Sequence, residues 1–179
     1  MKPLKNIILL LLAVFACAFI RYERIYPETI NWDTHFKGNP DPNSHFAAVT
    51  STIWQYGYRS TIRGNNLQLE FNFLGGVDAN KSWVKRERIR NKETSSRLLN
   101  HEQGHVYINF ILLKKGEYIL KNQSYTVSNY KRLIDKTAKD ISKFYNDMQE
   151  RYDVETKHGS DLEAQKKWDA FFESELSQL

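Results

Sequence analysis

The sequence predicts an α+β fold, in which a β-rich N-terminal half that forms an antiparallel sheet is followed by about three helices. Two observations predict it. Apolar and polar residues alternate with a period of two at 67–73, whereas apolar residues recur at spacings of three and four beyond about residue 94. Strands first and helices after is the order typical of α+β domains. Hydrophobic residues make up 41% of the 179 residues, which is enough for a packed core and excludes a disordered chain.

The β-rich half covers residues 21–92. Residues 46–56 are rich in small, β-branched and aromatic side chains, which favour a strand. The alternating segment that follows has the pattern of a half-buried strand, and it lies between two turn signals, Gly64-Asn65-Asn66 and Gly75-Gly76. We therefore expect strands at both segments.

The first predicted helix carries the candidate chemistry. Thr94 or Ser95 can cap its N-terminus, and the apolar pattern continues to about Leu113, with an extension to Leu120 left open. Apolar residues occupy most of its faces, so we expect it to be the central buried helix.

Two further helices follow at the C-terminal end. Ser128 can cap the second, in which apolar and aromatic residues recur at spacings of three and four until about Asp153. Asp161 can cap the third, which again carries apolar residues at helical spacing.

The first residues differ in kind from the rest. Lys2 and Lys5 precede an uncharged apolar run at 7–20. As a helix this run would be roughly 21 Å long, short of the ~30 Å hydrocarbon core of a membrane. Residues 1–18 are therefore expected to be a signal peptide, with an uncleaved N-terminal membrane anchor as the alternative.

Residues 19–179 are expected to form one domain. Cys17 is the only cysteine, so no disulfide within the chain is possible, and lipidation of Cys17 is a further alternative for the leader. Any metal site must then use His, Asp or Glu. The formal net charge of +5 is spread along the chain rather than gathered in a patch, so we expect no nucleic-acid partner.

His101 and His105 are four residues apart on the first predicted helix. Four residues turn about 400°, so the two side chains lie about 40° apart on one face, one turn above the other. That arrangement lets two imidazoles bind one Zn²⁺. Glu102 follows the first histidine and can act as the catalytic base for a water whose pKa the metal lowers.

A catalytic zinc needs a third protein ligand. His158 is the preferred candidate, because a second helix running antiparallel would return it to the start of the motif helix. His35 and His45 lie in or beside a loop rich in Pro and Gly and are interpreted as surface residues. Oxygen ligands near His158 remain as alternatives; these are Asp153, Glu155, Asp161 and Glu163.

Two other residues are weighed for roles at this site. Tyr152 is a candidate catalytic residue that donates a hydrogen bond to an oxyanion, with a purely apolar packing role as the alternative. Asp33 could orient a ligand histidine through its second ring nitrogen, or cap a turn.

Several segments spread over the chain after residue 18 share the pattern of one family: Ile30-Asn31-Trp32-Asp33 with Phe36-Lys37-Gly38, Ala47-Ala48-Val49-Thr50, Lys81-Ser82-Trp83-Val84, Leu98 to His105, Tyr152-Asp153, Thr156-x-His158-Gly159 and Gln165-x-x-Trp168. Together they resemble the DUF922 family of bacterial proteins. The block from Leu98 to His105 is the most specific of them. Val106-Tyr107 stands where members of the family commonly have Phe-Asp.

The resemblance implies a secreted zinc-dependent protease in which His101, Glu102 and His105 carry the zinc and base roles and His158 is the third ligand. We therefore expect an exported zinc hydrolase that acts on a protein or peptide, in the periplasm, outside the cell or anchored to the membrane through the N-terminal segment. Two alternatives remain: a zinc amidase acting on cell-wall amide bonds, and a non-catalytic envelope protein with a structural metal.

Overall fold

A computed structural model describes residues 27–179, and the predicted leader at 1–18 lies outside the described residues. The fold is α+β, with antiparallel strands first and three long helices after, as the sequence predicts. Within this part of the chain no helix is both long and apolar enough to cross a membrane.

Two small antiparallel sheets form the N-terminal half. Strand β2 (Thr52–Arg63) pairs with β3 (Asn66–Val77) in a long hairpin, which turns at Gly64 with a φ of 60°. Strand β1 (Ala48–Val49) pairs with β4 (Trp83–Val84).

The segment at 46–56, predicted as one strand, is therefore divided between the two sheets. The break lies at Thr50 and Ser51. The hydroxyl of Ser82 accepts a hydrogen bond from the Ser51 amide over 2.9 Å. A side-chain hydrogen bond therefore takes the place of a main-chain one between the end of β1, which pairs with β4, and the start of β2, which pairs with β3.

A short helix, α1 (Trp32–His35), precedes the strands and was not predicted. The side chain of Asn31 caps it by accepting hydrogen bonds from the amides of Asp33 and Thr34. The carboxylate of Asp33 is exposed and contacts Arg86 at 3.2 Å, so it does not orient a histidine of the predicted site. A 3₁₀ turn at Arg86–Ile89 leads from β4 into the helical half.

The three long helices are α2 (Lys92–Asn122), α3 (Tyr130–Thr156) and α4 (Leu162–Ser177). The cap of α2 is Asn91, three or four residues before the predicted caps, and its side chain accepts the amide of Thr94 over 3.0 Å. Asp161 caps α4 through the amide of Ala164, as predicted.

The main core lies where the three long helices meet the aromatic face of the β2–β3 hairpin. Ile108, Ile111 and Leu120 of α2 are almost fully buried there. A smaller cluster packs α1, β1 and β4 against the N-terminal part of α2. Helix α2 is thus the central element, as predicted, because it packs in both clusters. Helices α3 and α4 both contact it.

Candidate metal centre

His101 and His105 lie on one face of α2, as the spacing predicts. Their ring centroids are 4.9 Å apart. His101 is only 2% exposed and the side chain of His105 is 13% exposed, so both rings have been removed from bulk water. Buried imidazoles need polar partners, because an unpaired polar group in the interior is costly.

Asp153, at the C-terminal end of α3, supplies that partner for three histidines at once. Its Oδ1 lies 3.1 Å from His101 Nε2, 3.2 Å from His105 Nε2 and 3.3 Å from His158 Nδ1. The ligand atoms of His101, Asp153 and His158 all lie within 4.8 Å of one another, so this group could hold a metal ion. His105 borders the group through its contact with Asp153.

The charges at this cluster are strongly coupled. Burial alone would raise the pKa of Asp153, but hydrogen bonds from His101 and His105 outweigh it and hold that pKa well below its ordinary value. Burial likewise acts to lower the pKa of His105, yet the hydrogen bond to Asp153 and the charges of Glu102 and Asp153 raise it. The site therefore keeps an ionised carboxylate among the imidazoles, which suits a cation.

A tight turn brings His158 to the cluster. Helix α3 ends with the His158 amide donating to the Asp153 carbonyl over 2.9 Å. Lys157, His158 and Gly159 then follow with φ values of 48°, 52° and 78°. Two consecutive residues other than glycine in this left-handed region represent local strain, which is common at functional sites.

Two glycines let this corner close. A Cβ at Gly104 would lie 2.2 Å from Tyr152 Oη, and one at Gly159 would lie 2.7 Å from His101 Cβ. Real Cβ contacts are never this short, so only glycine fits at either position without a shift of its neighbours. The glycine inside the histidine motif therefore makes room for Tyr152, and the glycine after His158 makes room for His101.

Tyr152 is fully buried beneath the histidines and stacks on His101 with centroids 4.7 Å apart. Its hydroxyl donates to the His101 carbonyl over 2.9 Å and accepts from Gln165 Nε2 over 2.8 Å. Burial raises the pKa of Tyr152 well above its ordinary value. Since this hydroxyl is engaged by helix and core, its placement argues against the predicted oxyanion role and favours a positioning role for the ring.

The second ring nitrogens of both motif histidines have partners. His105 Nδ1 lies 2.6 Å from Gln149 Oε1, and Gln149 also donates to the His105 carbonyl. His101 Nδ1 lies 3.3 Å from the Thr156 hydroxyl and 3.4 Å from Gln165 Oε1. Partners of this kind orient imidazoles so that the other nitrogen faces a metal.

Glu102 is 3% exposed, and its Oε2 accepts a hydrogen bond of 2.6 Å from the Thr50 hydroxyl. Within residues 27–179 no other hydrogen-bond partner is seen for this carboxylate, although its charge acts on His105. The strand end at Thr50 thus fixes one oxygen of Glu102 and leaves the second available for a reactant.

The three histidines, Asp153 and Glu102 all border a cleft of about 370 Å³. Residues 45–50 form one wall, and His101, Glu102, His105 and His158 form the other. His45 lies at this wall beside Phe46, and Phe46 in turn contacts the His158 ring at 4.7 Å. His45 is exposed as predicted, but it lines the cleft rather than an unrelated surface.

The fold and the site together define an α+β protein with a cluster of histidines and a carboxylate able to hold a metal ion. The chain belongs to the family described as "Bacterial protein of unknown function (DUF922)", whose model matches residues 27–159 and so confirms the family resemblance. No curated protein and no solved structure matches this chain. Membership therefore establishes the family without establishing an activity.

Proposed function

We propose that this protein is a zinc-dependent hydrolase that cleaves peptide bonds. The observation that carries the proposal is the position of Glu102, a carboxylate with one oxygen free, next to a cluster of imidazoles and a carboxylate in an open cleft. A purely structural metal site is closed by protein ligands and needs no base beside it.

The donor set fits zinc. Imidazole nitrogens with one carboxylate are ligands that Zn²⁺ accepts at about 2.0–2.2 Å, and tetrahedral bonds of that length give ligand-to-ligand edges of roughly 3.3 Å. The 3.1–3.3 Å separations between Asp153 Oδ1 and the three histidine nitrogens are close to such edges. His101 and His105 would hold the metal, with His158 or Asp153, or both, completing the set.

When bound, zinc would polarise the substrate carbonyl and lower the pKa of a water molecule. Glu102 accepts a proton from the attacking water as the water oxygen bonds to the carbonyl carbon. The same carboxyl then delivers that proton to the leaving nitrogen as the C–N bond breaks. Thr50 keeps the carboxylate in place during both transfers.

An extended peptide is the substrate that suits the cleft wall. Within the described residues, β1 pairs only with β4, so its other edge is unpaired. Residues 45–50 border the cleft along this strand. A peptide can add to an unpaired edge through main-chain hydrogen bonds, which would lay its scissile bond across the histidines.

The site of action that we propose is outside the cytoplasm. The support is the sequence alone: Lys2 and Lys5 followed by the apolar run at 7–20. N-terminal sequencing of the protein recovered from the periplasm or medium would locate the cleavage point, and recovery of an intact N-terminus in the cytoplasm would contradict export.

The test is Glu102→Gln in the full chain, loaded with zinc and assayed on a peptide library. We expect zinc to stay at wild-type stoichiometry while turnover falls by about 10²- to 10⁴-fold, the usual contribution of a general base. Glu93→Gln, in the exposed first turn of the same helix, is the matched control and should keep full activity.

Equal turnover in Glu102→Gln and wild type would remove Glu102 from the chemistry. A wild-type protein that holds zinc yet cleaves no peptide in the library would instead favour a structural metal.

A further inference from the structure

A second cavity of about 440 Å³ opens beside the candidate metal centre and shares Thr50, His105 and Asp153 with it. It continues along the same face of α2, where Asn109 lies one turn beyond His105. Because the two cavities share these residues, a substrate bound at the metal centre can extend a group into this second cavity.

Asn109 is a buried polar residue in the wall of this cavity. It is 4% exposed, and within residues 27–179 its carboxamide has no hydrogen-bond partner. Among the described side chains, only Trp54 Nε1 is sealed from solvent without a partner, so the Asn109 amide keeps access to the cavity. A buried carboxamide offers both a donor and an acceptor, and leaving them unpaired is unfavourable.

The remaining walls divide between polar and apolar. The half-buried Thr52 and the exposed Asn146 also border the cavity, and neither side chain has a hydrogen-bond partner in the described part of the chain. Leu112 and Trp54 supply an apolar surface beside them. Neither Lys nor Arg lines the cavity, and its one carboxylate, Asp153, is already paired with three histidines.

We propose that this cavity is a substrate subsite that selects an uncharged, hydrogen-bonding side chain, of which glutamine is the best match. The two methylene groups of glutamine would lie against Leu112 and Trp54, and its carboxamide would pair with that of Asn109, donor to acceptor in both directions. This inference rests on the proposed function, because a subsite presupposes a substrate. Binding of the side chain can nevertheless be measured without turnover.

The test uses the zinc-loaded Glu102→Gln protein and two probes, N-acetylglutamine N-methylamide and N-acetylnorleucine N-methylamide. NMR would follow the side-chain amide signal of Asn109, assigned through Asn109→Leu. We expect a saturable shift of that signal and roughly tenfold tighter binding of the glutamine probe, because a site built for hydrogen bonds rejects an analogue that lacks them.

Asn109→Leu should abolish the preference, whereas Asn122→Leu, at the exposed end of the same helix, should keep it. Should Asn109→Leu fail to fold, Asn109→Asp keeps the size of the side chain and should turn the preference toward N-acetyllysine N-methylamide. Equal binding of the glutamine and norleucine probes, or a preference that survives in Asn109→Leu, would overturn the subsite. Neither result depends on whether wild type hydrolyses peptides, so the two proposals fail separately.

Discussion

Residues 101–105 and residues 108–120 belong to the same helix, yet they meet different surroundings. In the first stretch, His101, Glu102 and Gln103 are buried polar residues. In the second stretch, Ile108, Ile111 and Leu120 are buried apolar residues that pack into the main core. These six residues are all at most 8% exposed, but the interactions that make their burial favourable differ.

Each buried polar group of the first stretch has a partner far away in sequence. Glu102 is bonded to Thr50, and Gln103 holds the N-terminal segment through the Ile30 amide and the Glu28 carbonyl. The apolar side chains of the second stretch need only shape and area, since hydrophobic burial has no direction, and Asn109 is the one buried polar residue among them. The comparison teaches that the first half of α2 depends on particular residues and the second half on volume.

The largest expected effect falls in the apolar stretch. Leu120→Ala should destabilise the fold by about 2–5 kcal/mol, because the side chain is fully buried and leaves a cavity. Zinc stoichiometry of the folded protein should stay unchanged. Ile119→Ala is the neighbouring control, and as a partly exposed position it should change stability much less. Thermal unfolding measures both, and equal losses would contradict the difference in burial.

The next largest effect is expected on zinc binding at residues 101–105, the stretch with buried polar residues. Gln149→Leu removes the partner of His105 Nδ1 and should weaken zinc binding by about 10- to 100-fold, as is usual when the group that orients a ligand imidazole is lost. A competitive titration against a zinc chelator measures this affinity. Gln55→Leu, on the exposed side of β2, is the control. Unchanged affinity in Gln149→Leu would mean that His105 is not a ligand or needs no orientation.

The smallest effect compares the two glycines of α2. Gly104→Ala should destabilise by about 1–2 kcal/mol, since the clash with Tyr152 outweighs a gain of about 1 kcal/mol in helix propensity. At Gly116 a Cβ would lie 3.2 Å from Trp54 Cζ2, so the gain and the crowding nearly cancel. Denaturant unfolding compares them. If both variants gained stability, Tyr152 would be free to move aside.

Local signals in the sequence located most elements. The alternation at 67–73 predicted β3, and Asp161 predicted the start of α4, because each pattern depends on neighbours in the chain. The cap of α2 was misplaced because Asn91, Thr94 and Ser95 all have side chains able to cap, and only the fold selects Asn91. Helix α1 is too short for a periodic signal.

Helical spacing predicted the part of the site that lies on one helix. His101 and His105 follow from their separation by four residues, and the structure places His158 beside them through the turn that ends α3. The central position of Asp153 was left among several acids, because spacing does not say which carboxylate faces the histidines. Thr50 and Gln149 were missed, since their roles arise only from contacts across 52 and 44 residues of sequence.

X-ray absorption spectroscopy of the zinc-loaded full chain tests the central claim most directly. We expect one zinc per chain with nitrogen or oxygen neighbours at about 2.0–2.2 Å and scattering from three imidazoles, which falls to two in His158→Ala. The same spectrum for His158→Ala and wild type would exclude His158 as a ligand in favour of Asp153. A protein that retains no zinc, or a zinc shell without imidazole, would contradict the account as a whole.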